Sequence, residues 1–342
     1  MSKVQTVLGP INPEQLVVTL PHEHLLIDCR CLWSPPRDEF KRSYAYQLVK
    51  MSNVGVLRRS PNIAKDNLLL DDLHLAIREI SEFKNMGGRS IADLTNIGLG
   101  RNAKSLQAIA RRTKLNIIAG CGYYIAKSHP KRLKREDVDE IADKIVSDIS
   151  SGMDGSDARA GVIGEIGVSS KMDPQEKKVL KAAAAAHLET GCPIMVHLSP
   201  PGREGRRVLD LLEDEGVRPE HVALCHLDSQ LDLEYDISLA RRGCYISYDQ
   251  FGEQYDDYDG MVFPRDVERV NCVVQIRNKG LLHRLLVSHD IGQKIDLKHF
   301  GGTGYDHILR NIVPLLRKRG LTARDVSTLI VTNPRKFFTF AS

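Results

Sequence analysis

The chain has 342 residues, of which 42% are hydrophobic and 27% charged, and its formal net charge is +4. This composition is typical of a folded globular protein and unlike that of a disordered chain. Basic and acidic residues are interspersed, which argues against nucleic acid as a partner. No apolar run approaches the roughly 20 residues that cross a bilayer, and the N-terminus lacks the pattern of a secretory signal. We therefore expect a cytoplasmic protein with no membrane partner.

Eight short apolar runs alternate with amphipathic stretches along the chain. They are rich in Val, Ile and Leu on both faces, as buried parallel strands are. The predicted strands are Leu16–Thr19, Ser90–Leu94, Asn116–Gly120, Gly161–Glu165, Pro193–His197, Val222–His226, Cys244–Tyr248 and Leu285–Asp290.

The stretches between these runs carry the signals of helix ends. Asp173, Pro174 and Glu176 form an N-terminal capping pattern, and Gly191 ends the same predicted helix. Eight strands, each followed by a helix, predict a (β/α)8 barrel as a single domain over residues 1–342. The alternative, an open doubly wound sheet, normally has a glycine-rich turn after its first strand. Here that position reads Pro-His-Glu-His.

Two segments are unusually long for connections. Residues 29–63 contain the only tryptophan, Trp33, and residues 249–264 contain Tyr255 and Tyr258 among several acidic residues. Loops longer than roughly 12–15 residues usually cover or form binding sites. We expect both to be active-site loops, with a tolerated surface insertion as the alternative.

Ligand-type side chains follow five of the predicted strands. Barrel enzymes place their chemistry at the C-terminal ends of the strands, so these side chains should meet at one mouth. Burying them without a cation would leave several polar groups and at least two charges unpaired. They are His22, His24, Glu165, His197, His226 and Asp290.

The number of these side chains predicts two metal ions, because one catalytic zinc usually takes three protein ligands and a water. His22, His24 and Asp290 would hold one ion, His197 and His226 the other, and Glu165 would bridge them. Imidazole and carboxylate suit several divalent ions. We expect zinc, with Mn, Co, Fe or Ni as alternatives.

The chain also resembles the phosphotriesterase family of the amidohydrolase superfamily over nearly its whole length. The motifs that carry the resemblance are Thr19-Leu-Pro-His-Glu-His24, Gly164-Glu-Ile-Gly167, Val196-His197, Cys225-His226-Leu-Asp228, Ser288-His-Asp290 and Asn333-Pro-Arg-Lys-Phe-Phe338. It implies a (β/α)8 barrel with a binuclear metal centre and the same division of ligands. Many members bridge the metals with a carbamylated lysine, whereas this chain has Glu165, as the phosphotriesterase-related branch does.

The resemblance further implies a metal-dependent hydrolase of a small substrate. A metal-bridging hydroxide would attack a carbonyl centre in an N-acyl amide or lactone, and Asp290 would carry the proton to the leaving group. Tyr124 and Gln250 lie where the family's lactonases contact substrate. Arg203, soon after His197, is a candidate for gripping an anionic substrate.

Several alternatives stay open at this level. The chain could hydrolyse phosphoesters or phosphotriesters, act as a TatD-like metal-dependent nuclease, or bind a ligand without turning it over. The modest net charge argues against the nuclease, and no missing ligand supports the non-catalytic barrel. The oligomeric state is also open, with a homodimer as the alternative to a monomer.

Overall fold

A computed structural model describes residues 3–200 and 203–341 of the chain. Eight parallel strands form one sheet in which each strand pairs with the next along the chain. These strands are β1 (Thr19–Glu23), β2 (Ser90–Asp93), β3 (Asn116–Cys121), β4 (Val162–Val168), β5 (Ile194–Leu198), β6 (Val222–Leu224), β7 (Tyr245–Tyr248) and β8 (Leu285–Val287).

The last strand returns to the first and brings the sheet close to a complete barrel. The amide of Asp290 donates to the carbonyl of His22 at 3.2 Å, and the amide of His22 donates to the hydroxyl of Ser288 at 3.2 Å. Both contacts lie at the C-terminal ends of β1 and β8. The predicted (β/α)8 architecture is therefore confirmed.

Helices surround the barrel. The longer ones are α1 (Leu73–Asn85), α2 (Ala103–Thr113), α3 (Val138–Ser150), α4 (Pro174–Thr190), α5 (Gly205–Asp214), α6 (Leu233–Arg241) and α7 (Asp266–Asn278). After β8 come α8 (Val313–Lys318), α9 (Ala323–Ser327) and α10 (Asn333–Phe338), with π-helical turns at Ile308–Ile312 and Thr328–Thr332. None of the described helices is long and apolar enough to span a membrane.

The first strand lies three residues later than predicted. The apolar run from Leu16 ends where β1 begins, at Thr19, so the predicted and observed strands share only Thr19. Leu16 packs instead with buried apolar residues inside the barrel. The prediction was wrong because it followed hydrophobicity, whereas β1 carries the polar residues His22 and Glu23 in a fully buried strand.

Two layers of apolar side chains hold the barrel together. The larger cluster lies between the strands and the surrounding helices. A smaller one fills the interior, where Ile118, Val162 and Met195 meet Phe337 and Phe338 of α10. Packed interiors of this kind make the barrel a rigid support and leave its C-terminal mouth for chemistry.

The two long loops pack against each other above the mouth. The first contains one-turn helices at Glu39–Arg42 and Val54–Leu57, and the second has a single bridge between Tyr258 and Met261. The amide of Asp257 donates to the carbonyl of Arg59 at 2.8 Å. The two loops share a third apolar cluster, whose buried members are Val49, Val54, Leu57, Ile63, Ala64, Tyr255, Phe263 and Ile295.

Helix α4 begins and ends as predicted. The residues that cap its N-terminus also bind the segment that follows β3. The Glu176 carboxylate accepts from the amides of Asp173, Ser169 and Ala126 and from the Ser169 hydroxyl, at 2.6–3.0 Å. Glu176 is completely buried. It therefore joins the start of α4 to the segment that follows β3.

We predict that Glu176→Ala lowers the free energy of unfolding by about 2–4 kcal/mol, since three partly buried amides lose their acceptor. Urea denaturation at fixed metal content measures the change. Glu189→Ala, an exposed position near the end of the same helix, is the control and should change stability by less than about 0.5 kcal/mol. Equal stability of the two variants would contradict this role.

Candidate metal centre

The six side chains predicted as metal ligands meet at the C-terminal mouth of the barrel. His22 and His24 stand two residues apart at the end of β1, and the Nε2 atoms of both face the same oxygen of Asp290. The distances from Asp290 Oδ1 are 3.2 Å to His22 and 3.1 Å to His24. These three residues form one group whose ligand atoms converge.

A second group lies beside the first and shares Glu165 with it. Glu165 Oε2 is 3.0 Å from His197 Nδ1 and 3.4 Å from His226 Nε2. Its other oxygen, Oε1, is 3.4 Å from His24 Nε2. Oε2 also lies 3.6 Å from His22 Nε2. One carboxylate therefore faces imidazoles from both groups.

The backbone departs from regular geometry where these ligands arise. Between Leu20 and Glu23, β1 has one residue more than β2, and between Ile163 and Ile166, β4 has one more than β5. Such bulges redirect side chains and are common beside active sites. They fall on the segments that carry His22 and Glu165.

Gly164 is required by the close approach of the neighbouring strand. Its φ is +148°, and a Cβ atom there would lie 2.4 Å from the carbonyl oxygen of Met195. His226 and Asp290 adopt left-handed conformations, with φ of 61° and 56°. Non-glycine residues hold this conformation only when their surroundings impose it, and such residues gather at functional sites.

Asp249 positions ligands from both groups and was missed by the sequence analysis. Its carboxylate accepts from His22 Nδ1 at 2.9 Å and from His226 Nδ1 at 3.0 Å. This fixes the tautomer of both rings and directs each Nε2 into the site. The signal was its place directly after β7, but the residue was treated as the start of a loop.

Glu23 fixes the segment that carries Asp290. Its carboxylate accepts from the Ser288 hydroxyl at 2.7 Å, from the His289 ring at 2.6 Å and from the Ile291 amide at 3.2 Å. Glu23 lies between His22 and His24 in the sequence. The segment after β8 is thus bound to the end of β1 on both sides of Asp290.

Burial and neighbouring charges shift the pKa values of the site residues in opposite directions. Burial opposes the positive form of His24, yet hydrogen bonds with Asp290 and Glu165 raise its pKa to about 9. Burial also opposes ionisation of Asp290, but His22 and His226 lower its pKa to about 2. His197 and His22 likewise hold the pKa of Glu165 well below its usual range, against the effect of burial. The carboxylates therefore stay ionised and require positive charge beside them.

The donor set fits divalent metal ions. His22 Nε2 is fully buried, and although Asp290 Oδ1 is 3.2 Å away, the atom makes no well-aligned hydrogen bond with any described residue. His226 Nε2 and His197 Nδ1 are only 2.7 Å apart. In the tautomers that ligate metal, neither nitrogen carries a proton, so two lone pairs face each other. Cations between these atoms would satisfy the free nitrogen and supply the charge that the carboxylates require.

A cavity that is partly open to solvent extends from these side chains toward the two long loops. Tyr124 and Gln250, both predicted to contact substrate, line it. The Tyr124 hydroxyl lies 3.1 Å from His197 Nε2, and the Gln250 side chain accepts from Ser229 at 2.6 Å.

Arg203 lies beside a neighbouring cavity and contacts Asp232. Its side chain is 56% exposed. A contact between Arg203 and substrate stays a prediction.

Comparison with known proteins agrees with this geometry. Residues 2–338 match the model of the phosphotriesterase family. The chain belongs to the phosphotriesterase family. The resemblance predicted from the sequence is thus confirmed, and the chain is a hydrolase of a metal-dependent family.

Three similar proteins cover almost the whole chain. N-acetyltaurine hydrolase of Tetraodon nigroviridis is 38% identical, over 99% of this chain and 98% of its own. The phosphotriesterase-related protein of Nematostella vectensis is 34% identical, over 98% of each. Among solved structures, a resiniferatoxin-binding protein from Rhodobacter sphaeroides superposes with a TM-score of 0.95 at 42% identity, covering 98% of this chain and 94% of that one.

We predict that Asp249→Ala weakens metal binding by roughly 10–100-fold, because His22 and His226 lose the partner that orients both rings. Competition with a chromophoric chelator measures the affinity. Asp256→Ala is the control, since that side chain is 60% exposed and lies on the same loop. If both variants bound metal as the unchanged protein does, Asp249 would have no part in positioning the ligands.

Proposed function

We propose that the whole chain acts as one hydrolase domain that cleaves an N-acyl amide or a lactone with two divalent metal ions, zinc being the expected metal. The observation that carries this proposal is the single carboxylate, Glu165, shared by two groups of ligand atoms. His22, His24 and Asp290 would hold one ion, and His197 and His226 the other. The full-length similarity to N-acetyltaurine hydrolases favours an amide over a phosphoester.

When bound, metal ions lower the pKa of water and polarise the oxygen of the bond under attack. The chain supplies the remaining functions. Asp290 lies at the cavity wall with its side chain 18% exposed, and as an ionised carboxylate it has an oxygen that can accept a proton from the attacking water. We assign it the transfer of that proton to the leaving group.

The side chains around the metal groups would orient the substrate. The Tyr124 hydroxyl is held beside His197, where it can donate to an oxygen of the substrate. Gln250 faces the same cavity from the second long loop. The loops over 29–63 and 249–264 would bury the substrate and restrict water, since residues from both line the cavity.

A metal-exchange experiment tests the proposed activity. Protein stripped by chelation and reloaded with zinc should hydrolyse members of a panel of N-acyl amino acids, N-acyl amines and lactones, whereas stripped protein should not. Phosphomonoesters and phosphotriesters belong in the same panel. Cleavage of phosphotriesters alone would replace the amide and lactone proposal, and equal activity with and without metal would contradict it altogether.

Asp290→Asn separates proton transfer from metal binding. The amide oxygen can still ligate, and five other ligands remain, so metal content should fall only partly. Turnover of the best panel substrate should fall by roughly 10²–10⁴-fold, because the base is lost. A variant that retained full metal content and near-normal turnover would remove Asp290 from the proton-transfer step.

A further inference from the structure

A further cavity adjoins the one that the metal ligands line, which we call the metal-site cavity. It has a volume of about 260 Å³, and both α1 and the segment after β8 contribute to its walls. An apolar cavity of roughly 150 Å³ can already hold benzene, so this one can hold a molecule of two fused rings. We name it the leucine cavity, after the apolar side chains in its walls. These include Leu25, Leu70, Leu75, Ala76, Leu297 and Phe300.

Three chain segments form the wall between the two cavities. In each segment one residue lines the metal-site cavity and the next residue lines the leucine cavity. The wall there is therefore a single layer of polypeptide, and a contact made on one side acts on backbone that it shares with the other side. The three pairs are His24 and Leu25, Leu68 and Leu69, and Gln293 and Lys294.

A short antiparallel ladder joins two of these segments. Ile27 pairs with Leu70, and Asp28 pairs with Leu69. Ile27 lines the metal-site cavity, whereas Leu70 lines the leucine cavity and is 6% exposed. A molecule in contact with Leu70 would therefore hold a strand pair that also bounds the metal site.

Tyr305 connects the leucine cavity to one of the expected metal ligands. This residue lines the cavity and is buried, and its hydroxyl donates to the carbonyl of His24 at 2.7 Å. Leu25, the residue after His24, is buried in the same wall. A molecule in the cavity would add van der Waals contacts to Leu25 and Tyr305, and these contacts would restrict the backbone that carries His24.

The rim of the leucine cavity carries charges of both signs. Asp71, Asp72 and Arg78 are exposed there, and Lys294 pairs with Asp66 at 2.7 Å. The rim therefore has no excess of positive charge that would select an anion. Any charged group would also have to leave water to enter the apolar walls, so the surroundings favour a neutral molecule.

We propose that the leucine cavity is an effector site for a small, neutral, apolar molecule, and that this molecule strengthens zinc binding by restricting the backbone of His24. Binding of the molecule does not depend on the proposed hydrolysis, whereas its effect on zinc rests on the proposed metal centre. A first ligand that makes a site more rigid lowers the entropy that the second ligand loses, which gives positive coupling between them.

Indole is the probe for this site, because it is neutral and apolar, has two fused rings and ligates metal ions weakly. Titration calorimetry on the zinc-loaded full chain should show saturable binding with a submillimolar Kd. Competition with a chromophoric chelator gives the zinc affinity with and without saturating indole. Indole should raise that affinity by about fivefold or more.

Ala76→Met places a larger side chain in the leucine cavity from α1. Ala76 lines this cavity and not the metal-site cavity. The variant should bind indole at least tenfold more weakly, and indole should no longer change its zinc affinity. Ala185→Met makes the same change at an exposed position of α4 and should leave both the indole affinity and its effect on zinc as they are.

Tyr305→Phe separates binding from coupling. It keeps the ring in the wall and removes the hydroxyl that holds the His24 carbonyl. Indole should still bind this variant, but its effect on the zinc affinity should become smaller. This variant keeps the proposal testable if Ala76→Met does not fold.

The outcomes separate this proposal from the hydrolysis itself. Absent saturable binding of indole, binding that Ala76→Met leaves unchanged, or a zinc affinity that indole does not raise would overturn the proposal. Indole-3-acetate that binds tenfold more tightly than indole, and loses this binding in Ala76→Met, would overturn the neutral class of ligand. If no amide or lactone in the panel is cleaved but the indole and zinc affinities respond as predicted, the proposed hydrolysis fails and the effector site stands.

Discussion

The rest of the barrel mouth depends on buried carboxylates that are ionised and therefore need positive charge beside them. Glu165 lies among the imidazole nitrogens of His197, His226 and His24 at 3.0–3.4 Å, and Asp290 lies beside His22 and His24 at a similar distance. Such an arrangement is stable only if positive charge sits between nitrogen and oxygen. Protons on the rings supply it in part, since the pKa of His24 is raised to about 9, and divalent cations bound by the same nitrogens and oxygens would supply it in full.

The surrounding structure serves to keep these atoms in place. Asp249 orients His22 and His226. Glu23 holds the segment that carries Asp290. Asp228, paired with Arg269, fixes the loop that begins at Asp249. Each of these carboxylates is buried and accepts several hydrogen bonds. The ligand residues therefore depend on a second layer of buried, hydrogen-bonded carboxylates, as metal sites usually do.

The barrel and the ligand set could be predicted because they follow simple patterns. Apolar runs marked seven strands to within a few residues, and their ends identified the side chains that meet at the mouth. The first strand was misplaced because polar residues occupy buried positions where periodicity expects apolar ones. Asp249 was missed for a related reason, since its role depends on two histidines from other strands.

Glu253 illustrates what the sequence does not reveal. In the sequence it reads as an ordinary loop residue, because it lies several residues beyond the end of β7. In the structure Arg269 binds its backbone carbonyl, and Glu253 lines the metal-site cavity. Arg203 shows the opposite case, because a basic residue near a ligand histidine suggested an anion contact, while the fold places it beside Asp232. The placement of both side chains thus depends on contacts between separate segments, which no local sequence pattern predicts.

The central claim is that two metal ions share Glu165. Anomalous diffraction from crystals of the zinc-loaded protein, recorded on both sides of the zinc edge, tests it directly. We predict two peaks about 3.5–4 Å apart, one beside His22, His24 and Asp290, the other beside His197 and His226, with one Glu165 oxygen on each. A single peak, or two peaks with Glu165 bound to neither or to only one, would contradict the account.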